Sequence, residues 1–112
     1  MALVKLGTGK ILNLAEVRTI SYAGGNLSVV YNYGGGGSAA ETLAATAGEW
    51  ATIQANTLVV DASNVIGKDA LRTISYDGTN VTAVFNYGAA GSSAYIVAVS
   101  AAAWTAMQAQ AL

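Results

Sequence analysis

The chain has 112 residues, the length of one domain, and only 10% of them are charged, with a formal net charge of −1. It contains no His, Cys or Pro, which excludes disulfides, thiolate metal sites and a cysteine nucleophile and removes the commonest general base. Five basic residues also make a poor electrostatic footprint for nucleic acid or an anionic membrane. We therefore expect no enzyme, no cofactor and no small-molecule substrate.

The sequence repeats itself at an offset of 54 residues. The segment Arg-Thr-Ile-Ser-Tyr at 18–22 recurs at 72–76, and 20 of 41 positions are identical between 18–58 and 72–112. One such unit is too small to bury its own apolar face well. We therefore predict a single domain, 1–112, built of repeat one at 1–57 and repeat two at 58–112.

Each repeat opens with strands and a hairpin. Short strands are predicted at 2–6 and 58–60, followed by turns at 7–9 and 61–63, and a second pair of turns at 13–16 and 67–70. Hairpins are predicted to pair 17–22 with 27–33 and 71–76 with 81–87, because Gly and Asn between these apolar runs favour the positive φ of tight turns. Each hairpin is followed by a Gly-rich connection, at 34–38 and 88–92.

Each repeat closes with one more strand and a helix. The strands are predicted at 40–45 and 94–99. In the second of these, Tyr95, Val97 and Val99 on one face alternate with Ile96 and Ala98 on the other, so both of its faces are expected to be buried. Thr46 and Glu49 have the spacing of a capping box, and Ser100 is the matching N-cap. Trp50 and Trp104 lie on the apolar stripes of the two helices and are expected to anchor the core.

These elements predict an α+β fold. It consists of two tandem pseudo-symmetric units, each an antiparallel sheet followed by one C-terminal helix.

The order of elements resembles a known family. In the first repeat the resemblance rests on Ile20–Tyr22, Tyr31–Tyr33, Leu43–Thr46, Trp50 and Ile53, and the second repeat has the corresponding residues. This pattern is similar to the whirly and Pur-alpha group of single-stranded-DNA-binding transcriptional regulators. The resemblance implies paired β-β-β-β-α units that bind single-stranded nucleic acid. The Lys- and Arg-rich sheet of that family is not matched here.

The candidate contact residues are the recurrent cations and aromatics. Arg18 and Arg72 suit either a phosphate or intersubunit contact, or a stem packed on the sheet. The nearby lysines and the strand tyrosines suit either nucleic-acid contact with base stacking or core packing and subunit contact. The predicted set for nucleic-acid or subunit contact is Arg18, Arg72, Lys10, Lys68, Tyr22, Tyr76, Tyr33 and Tyr87.

The function expected from this composition is structural. A chain with so few charges is expected to hide much of its surface against copies of itself or against other subunits, for example as a small phage virion component. The alternative is a single-stranded nucleic-acid binder of the whirly type. The uncharged segment 94–112 is long enough to span a membrane, but its counterpart carries Glu41 and Glu49. The N-terminus also lacks a secretory signal, so we expect a virion or cytoplasmic location and no membrane partner.

Overall fold

The fold is α+β, as predicted. The structure is a computed structural model that describes residues 3–7, 9–31, 40–85 and 94–110. The strands in this part of the chain are β1 (Leu3–Leu6), β2 (Lys10–Asn13), β3 (Val17–Ala23), β4 (Asn26–Tyr31), β5 (Ala40–Ala44), β6 (Leu58–Asp61), β7 (Asn64–Ile66), β8 (Leu71–Tyr76), β9 (Asn80–Phe85) and β10 (Ala94–Ala98). The helices are α1 (Ala47–Ala55) and α2 (Ala101–Gln108), with short 3-10 helices at Leu14–Glu16 and Lys68–Ala70.

The order of elements in the first half recurs in the second half. For example, β4 and β9 begin at Asn26 and Asn80, and the two 3-10 helices begin at Leu14 and Lys68, each pair 54 residues apart. This recurrence concerns the order of elements along the chain, and the spatial pseudo-symmetry of two units stays a prediction.

The strands form three antiparallel sheets whose limits do not coincide with the limits of the repeats. The two-stranded sheet is β1-β2, the three-stranded sheet is β10-β9-β8, and the five-stranded sheet has the order β5-β4-β3-β7-β6. The hairpin β6–β7 belongs to repeat two by sequence, yet β7 pairs with β3 of repeat one. The two repeats are therefore joined by a shared sheet as well as by the chain.

The pairing of β3 with β7 has a defined register. Ile20 lies opposite Val65, between the pairs Thr19–Ile66 and Ser21–Asn64. Backbone hydrogen bonds extend the ladder at both ends: the Tyr22 N–H donates to the Ser63 carbonyl at 2.9 Å, and the Gly67 N–H donates to the Arg18 carbonyl at 3.0 Å.

Buried side chains form two clusters, and β7 contributes to both. Val65 belongs to the cluster of repeat one, together with residues such as Ile20 and Trp50. Its neighbour Ile66 belongs to the cluster of repeat two, together with Phe85 and Met107. Successive residues of a strand point to opposite faces of the sheet, so this one strand packs into both halves of the core.

The two helices begin as predicted but are buried to different degrees. Thr46 and Glu49 form the capping box of α1, and the Ser100 hydroxyl accepts a hydrogen bond from the Ala103 N–H at the start of α2. Trp50 is buried, whereas Trp104 is only half-buried. Neither helix in the described ranges is long and apolar enough to cross a membrane.

Two details of the predicted elements are wrong. The strand β10 is not buried on both faces, because Ile96 is 64% exposed while Tyr95 and Val97 are half-buried. The strands β2 and β7 were not predicted, since a run of two apolar residues between polar neighbours is too short to show a strand period. The hairpins that contain them were expected to be turns after a single strand.

Candidate functional site: an open strand edge beside an apolar groove

Arg18 and Arg72 are equivalent in sequence but not in environment. The guanidinium carbon of Arg18 lies 5.1 Å from the centroid of the Phe85 ring, and the residue is only 7% exposed. Burial lowers the pKa of the Arg18 guanidinium. Arg72 is exposed. Arg18 therefore packs across the two repeats, and the proposed phosphate or intersubunit contact of either arginine stays a prediction.

The tyrosines of the predicted contact set stack on the helix tryptophans. The Tyr22 and Trp50 ring centroids are 5.3 Å apart, and those of Tyr76 and Trp104 are 5.4 Å apart. The Tyr22 hydroxyl also donates to the Ala45 carbonyl at 3.1 Å. One face of each tyrosine ring is thus already covered by an intramolecular partner. The other two predicted tyrosines, Tyr33 and Tyr87, lie outside the described residues.

The lysines of the set lie on different surfaces. Lys10 forms an exposed ion pair with Glu41, in which Nζ of the lysine lies 3.2 Å from Oε2 of the carboxylate. The other carboxylate oxygen of Glu41 accepts a hydrogen bond of 2.6 Å from the Tyr31 hydroxyl. Both contacts lower the pKa of Glu41, the Tyr31 hydrogen bond being the larger cause. Lys68 lies instead at the rim of an apolar groove beside β8.

The contact between Tyr31 and Glu41 predicts an alkaline effect on stability. Burial, reinforced by the hydrogen bond to Glu41, raises the pKa of Tyr31 from 10.0 to about 12. Because the folded state favours the neutral phenol, Tyr31 contributes to the free energy of unfolding fully below pH 10. This contribution is lost as the pH rises to about 12. Wild type is therefore expected to exceed Tyr31→Phe in urea midpoint by a constant margin from neutral pH up to pH 10. The margin should shrink between pH 10 and 12, and a margin that is constant throughout contradicts the assignment.

Most of the remaining carboxylates hold turns or helix ends. Glu49 accepts hydrogen bonds from the Gly7 and Thr46 N–H groups at 2.7 and 2.9 Å, which lower its pKa. Asp61 and Asp77 each accept backbone N–H bonds within their turns. Across the described ranges there is no group of three or more His, Cys, Asp or Glu residues that could hold a metal ion.

An apolar groove lies beside β8. It has a volume of about 540 Å³ and is lined by six positions of repeat two that are equivalent to core positions of repeat one, together with Gln108 and Gln110. The six positions are Leu58, Lys68, Leu71, Ile74, Trp104 and Met107.

The corresponding place in repeat one is filled. The counterparts of these six residues, 54 positions earlier, are Val4, Leu14, Val17, Ile20, Trp50 and Ile53, all of which are buried in one cluster. Val65 of strand β7 is a member of that cluster and is only 1% exposed. The groove of repeat two is thus the place where a residue equivalent to Val65 would pack.

The two equivalent strands β3 and β8 also differ in how their edges are paired. β3 is paired on both sides, with β4 and β7, whereas among the described strands β8 pairs only with β9. Ile20 is buried, and its counterpart Ile74 is half-buried. An unpaired strand edge exposes backbone donors and acceptors to a further strand.

Sequence reasoning did not identify this edge or its groove. Trp104, which lines the groove, was expected to anchor the core in the same way as Trp50. The alignment contained one signal: Ile11 matches Val65, so each repeat carries a hairpin residue of this kind. This match does not by itself show that Val65 packs into the preceding repeat.

Comparisons with protein families, with curated proteins and with solved structures find no match to this chain. The resemblance to the whirly and Pur-alpha group therefore stays a prediction.

Proposed function

We propose that this protein is a non-enzymatic structural subunit that assembles with copies of itself into a larger oligomer. A small component of a phage virion is the concrete form we propose for that assembly.

The observation that carries the proposal is the position of the exposed large apolar side chains. Leu3, Ile11 and Ile96 are 59%, 67% and 64% exposed. They lie on β1, β2 and β10, each of which is an outer strand of its sheet among the described strands. Apolar side chains on open strand edges favour pairing with another chain.

Low charge supports the same proposal. Typical globular domains have about 25% charged residues, and this chain has 10%. An assembly in which edge strands are covered removes apolar surface from water and stabilises the subunits together.

The contacts of the aromatic and basic residues give less support to nucleic-acid binding. Arg18 is buried against Phe85, and Lys10 is paired with Glu41. Phosphate contacts by Lys and Arg supply most non-specific affinity for nucleic acid, and this chain offers few such groups.

The experiment that tests the proposal is multi-angle light scattering at low salt, with and without a single-stranded oligonucleotide. We expect a mass several times that of the 11.3 kDa subunit, unchanged by the oligonucleotide. A subunit-sized species that binds the oligonucleotide and releases it at higher salt would overturn the proposal in favour of the whirly-type function. A subunit-sized species that ignores the oligonucleotide at all concentrations tested would also overturn it.

A further inference from the structure

We propose that the β1–β2 hairpin of one copy docks on the open edge of β8 of a second copy, with Ile11 filling the groove beside that edge. This inference rests on the proposed function, because it names the contact through which copies assemble. The occupant is a second copy of this chain, since the chain already makes the equivalent contact within itself between β7 and β3.

The hairpin β1–β2 is arranged in the same way as the hairpin β6–β7. In both, the first strand packs on the helix of its own repeat, β1 on α1 and β6 on α2. β7 uses its outer edge to pair with β3, whereas within the described ranges β2 pairs only with β1.

The faces of β2 and β7 are matched residue by residue. Leu12 is buried in the cluster of its own repeat, as its counterpart Ile66 is in the other. Ile11, on the opposite face, is 67% exposed, whereas its counterpart Val65 is 1% exposed in the preceding repeat. Ile11 is therefore equivalent to a side chain that packs into a neighbouring repeat, yet it is exposed.

The groove beside β8 is the matching receptor. Its lining residues are the counterparts of the residues clustered with Val65 in repeat one. Four of them, Leu58, Leu71, Ile74 and Met107, are aliphatic or thioether side chains that suit an isoleucine. Burying an exposed isoleucine among apolar side chains is favourable, so the side chain and the groove are complementary in chemistry and in place.

The register between copies follows from the register inside the chain. The pairs between copies are obtained by adding 54 to each β3 residue number and subtracting 54 from each β7 residue number. Ile74 then lies opposite Ile11 of a second copy, with Thr73 opposite Leu12 and Ser75 opposite Lys10. The ladder is expected to end at Leu12. The next position is Gly67, directly after β7, where an added Cβ would overlap the Val17 carbonyl oxygen, and its counterpart Asn13 has a Cβ.

Such a contact is head-to-tail, because it joins two different surfaces of the chain. Each copy carries one β1–β2 hairpin and one β8 edge that is open among the described strands, so a row of docked copies offers one unused surface of each kind at its two ends. A heterologous contact of this type generates a ring if its rotation closes and a filament if it does not.

Cysteine cross-linking tests the register, since the chain has no cysteine of its own. Antiparallel pairs alternate between hydrogen-bonded and non-hydrogen-bonded. The hydrogen bond between Tyr22 and Ser63 makes Ser21–Asn64 a non-hydrogen-bonded pair, in which the Cβ atoms are close enough for a disulfide. The equivalent positions between copies are Ser75 and Lys10. We would make Lys10→Cys and Ser75→Cys as separate single variants and oxidise them mildly, alone and mixed.

The expected result is a disulfide-linked dimer in the mixture and none in either variant alone. A Ser28→Cys variant mixed with Lys10→Cys is the matched control, because Ser28 is exposed but lies on the internal strand β4. Cross-linking of Ser75→Cys with itself would overturn the proposal, since it would indicate symmetric pairing of two β8 edges. Equal cross-linking in the Ser28→Cys mixture would also overturn it.

A second pair of variants tests the docked side chain. Ile11→Lys is expected to reduce the mass measured by light scattering to that of a single subunit, while Ser28→Lys, at an exposed position of the internal strand β4, leaves the assembly intact. If wild type assembles but Ile11→Lys assembles equally well, this interface is wrong and the proposed function stands. If wild type does not assemble at all, the proposed function is wrong, and the interface that rests on it is wrong as well.

Discussion

Gly67→Ala is expected to destabilise the protein by about 3 kcal/mol or more, the largest effect of any single methyl group added at a described glycine. A Cβ at Gly67 would overlap the carbonyl oxygen of Val17, which is backbone and has little freedom to move. The Gly67 N–H also donates to the Arg18 carbonyl at 3.0 Å. Relieving the overlap separates the end of β7 from β3 and breaks that hydrogen bond.

The measurement is the midpoint and slope of urea unfolding, followed by tryptophan fluorescence. Gly48→Ala is the matched control, because a Cβ there meets only the Thr46 hydroxyl oxygen at 3.9 Å. Gly48 lies in the first turn of α1, so alanine is expected to raise stability by about 0.5–1 kcal/mol. Equal midpoints for Gly67→Ala and wild type would show that the two strands approach less closely than the structure describes.

Arg18→Ala is expected to cost roughly 2–4 kcal/mol, whereas Arg72→Ala is expected to stay within about 0.5 kcal/mol of wild type. The two arginines occupy the same position of the repeat, so the comparison isolates the effect of environment. The Arg18 guanidinium lies over the Phe85 ring in a nearly dry site, where a cation–π contact is worth about 2 kcal/mol or more. Truncation also removes the packing of the arginine stem between the repeats.

Urea unfolding of both variants checks this expectation, and a double-mutant cycle with Phe85→Leu measures the coupling. We expect Arg18→Ala and Phe85→Leu to be non-additive, because each removes the same contact. Additive losses would assign the cost of Arg18→Ala to its other neighbours and not to Phe85. If Arg72→Ala costs as much as Arg18→Ala, the difference in burial between the two arginines does not control stability.

The two substitutions act on the same junction. Gly67 and Arg18 are joined by the last hydrogen bond of the β3–β7 ladder, and Arg18 reaches from there to Phe85 of repeat two. The proposed junction between copies lacks the close backbone approach at this point, since Asn13 takes the place of Gly67. We therefore expect the contact between copies to be weaker than the contact inside the chain.

Much of the local structure could be predicted from the sequence. The α+β class, the hairpin turns and the helix caps follow from interactions among residues close in sequence, such as the Thr46–Glu49 capping box. The repeat then transfers each prediction to the second half, because equal local sequences favour equal local structures. The strands β2 and β7 were missed because their own apolar runs are short, and the pairing that holds β7 against β3 joins residues distant in sequence.

The sequence by itself determined the order of elements and the kind of side chain at each position. Only the tertiary structure decided which strand edges are covered. Val65 and Ile11, or Arg18 and Arg72, are indistinguishable in pattern, yet one member of each pair is buried and the other is exposed. The physical reason is that β7 finds β3 as a partner within the same chain, while the matching edges of β2 and β8 have no such partner among the described strands.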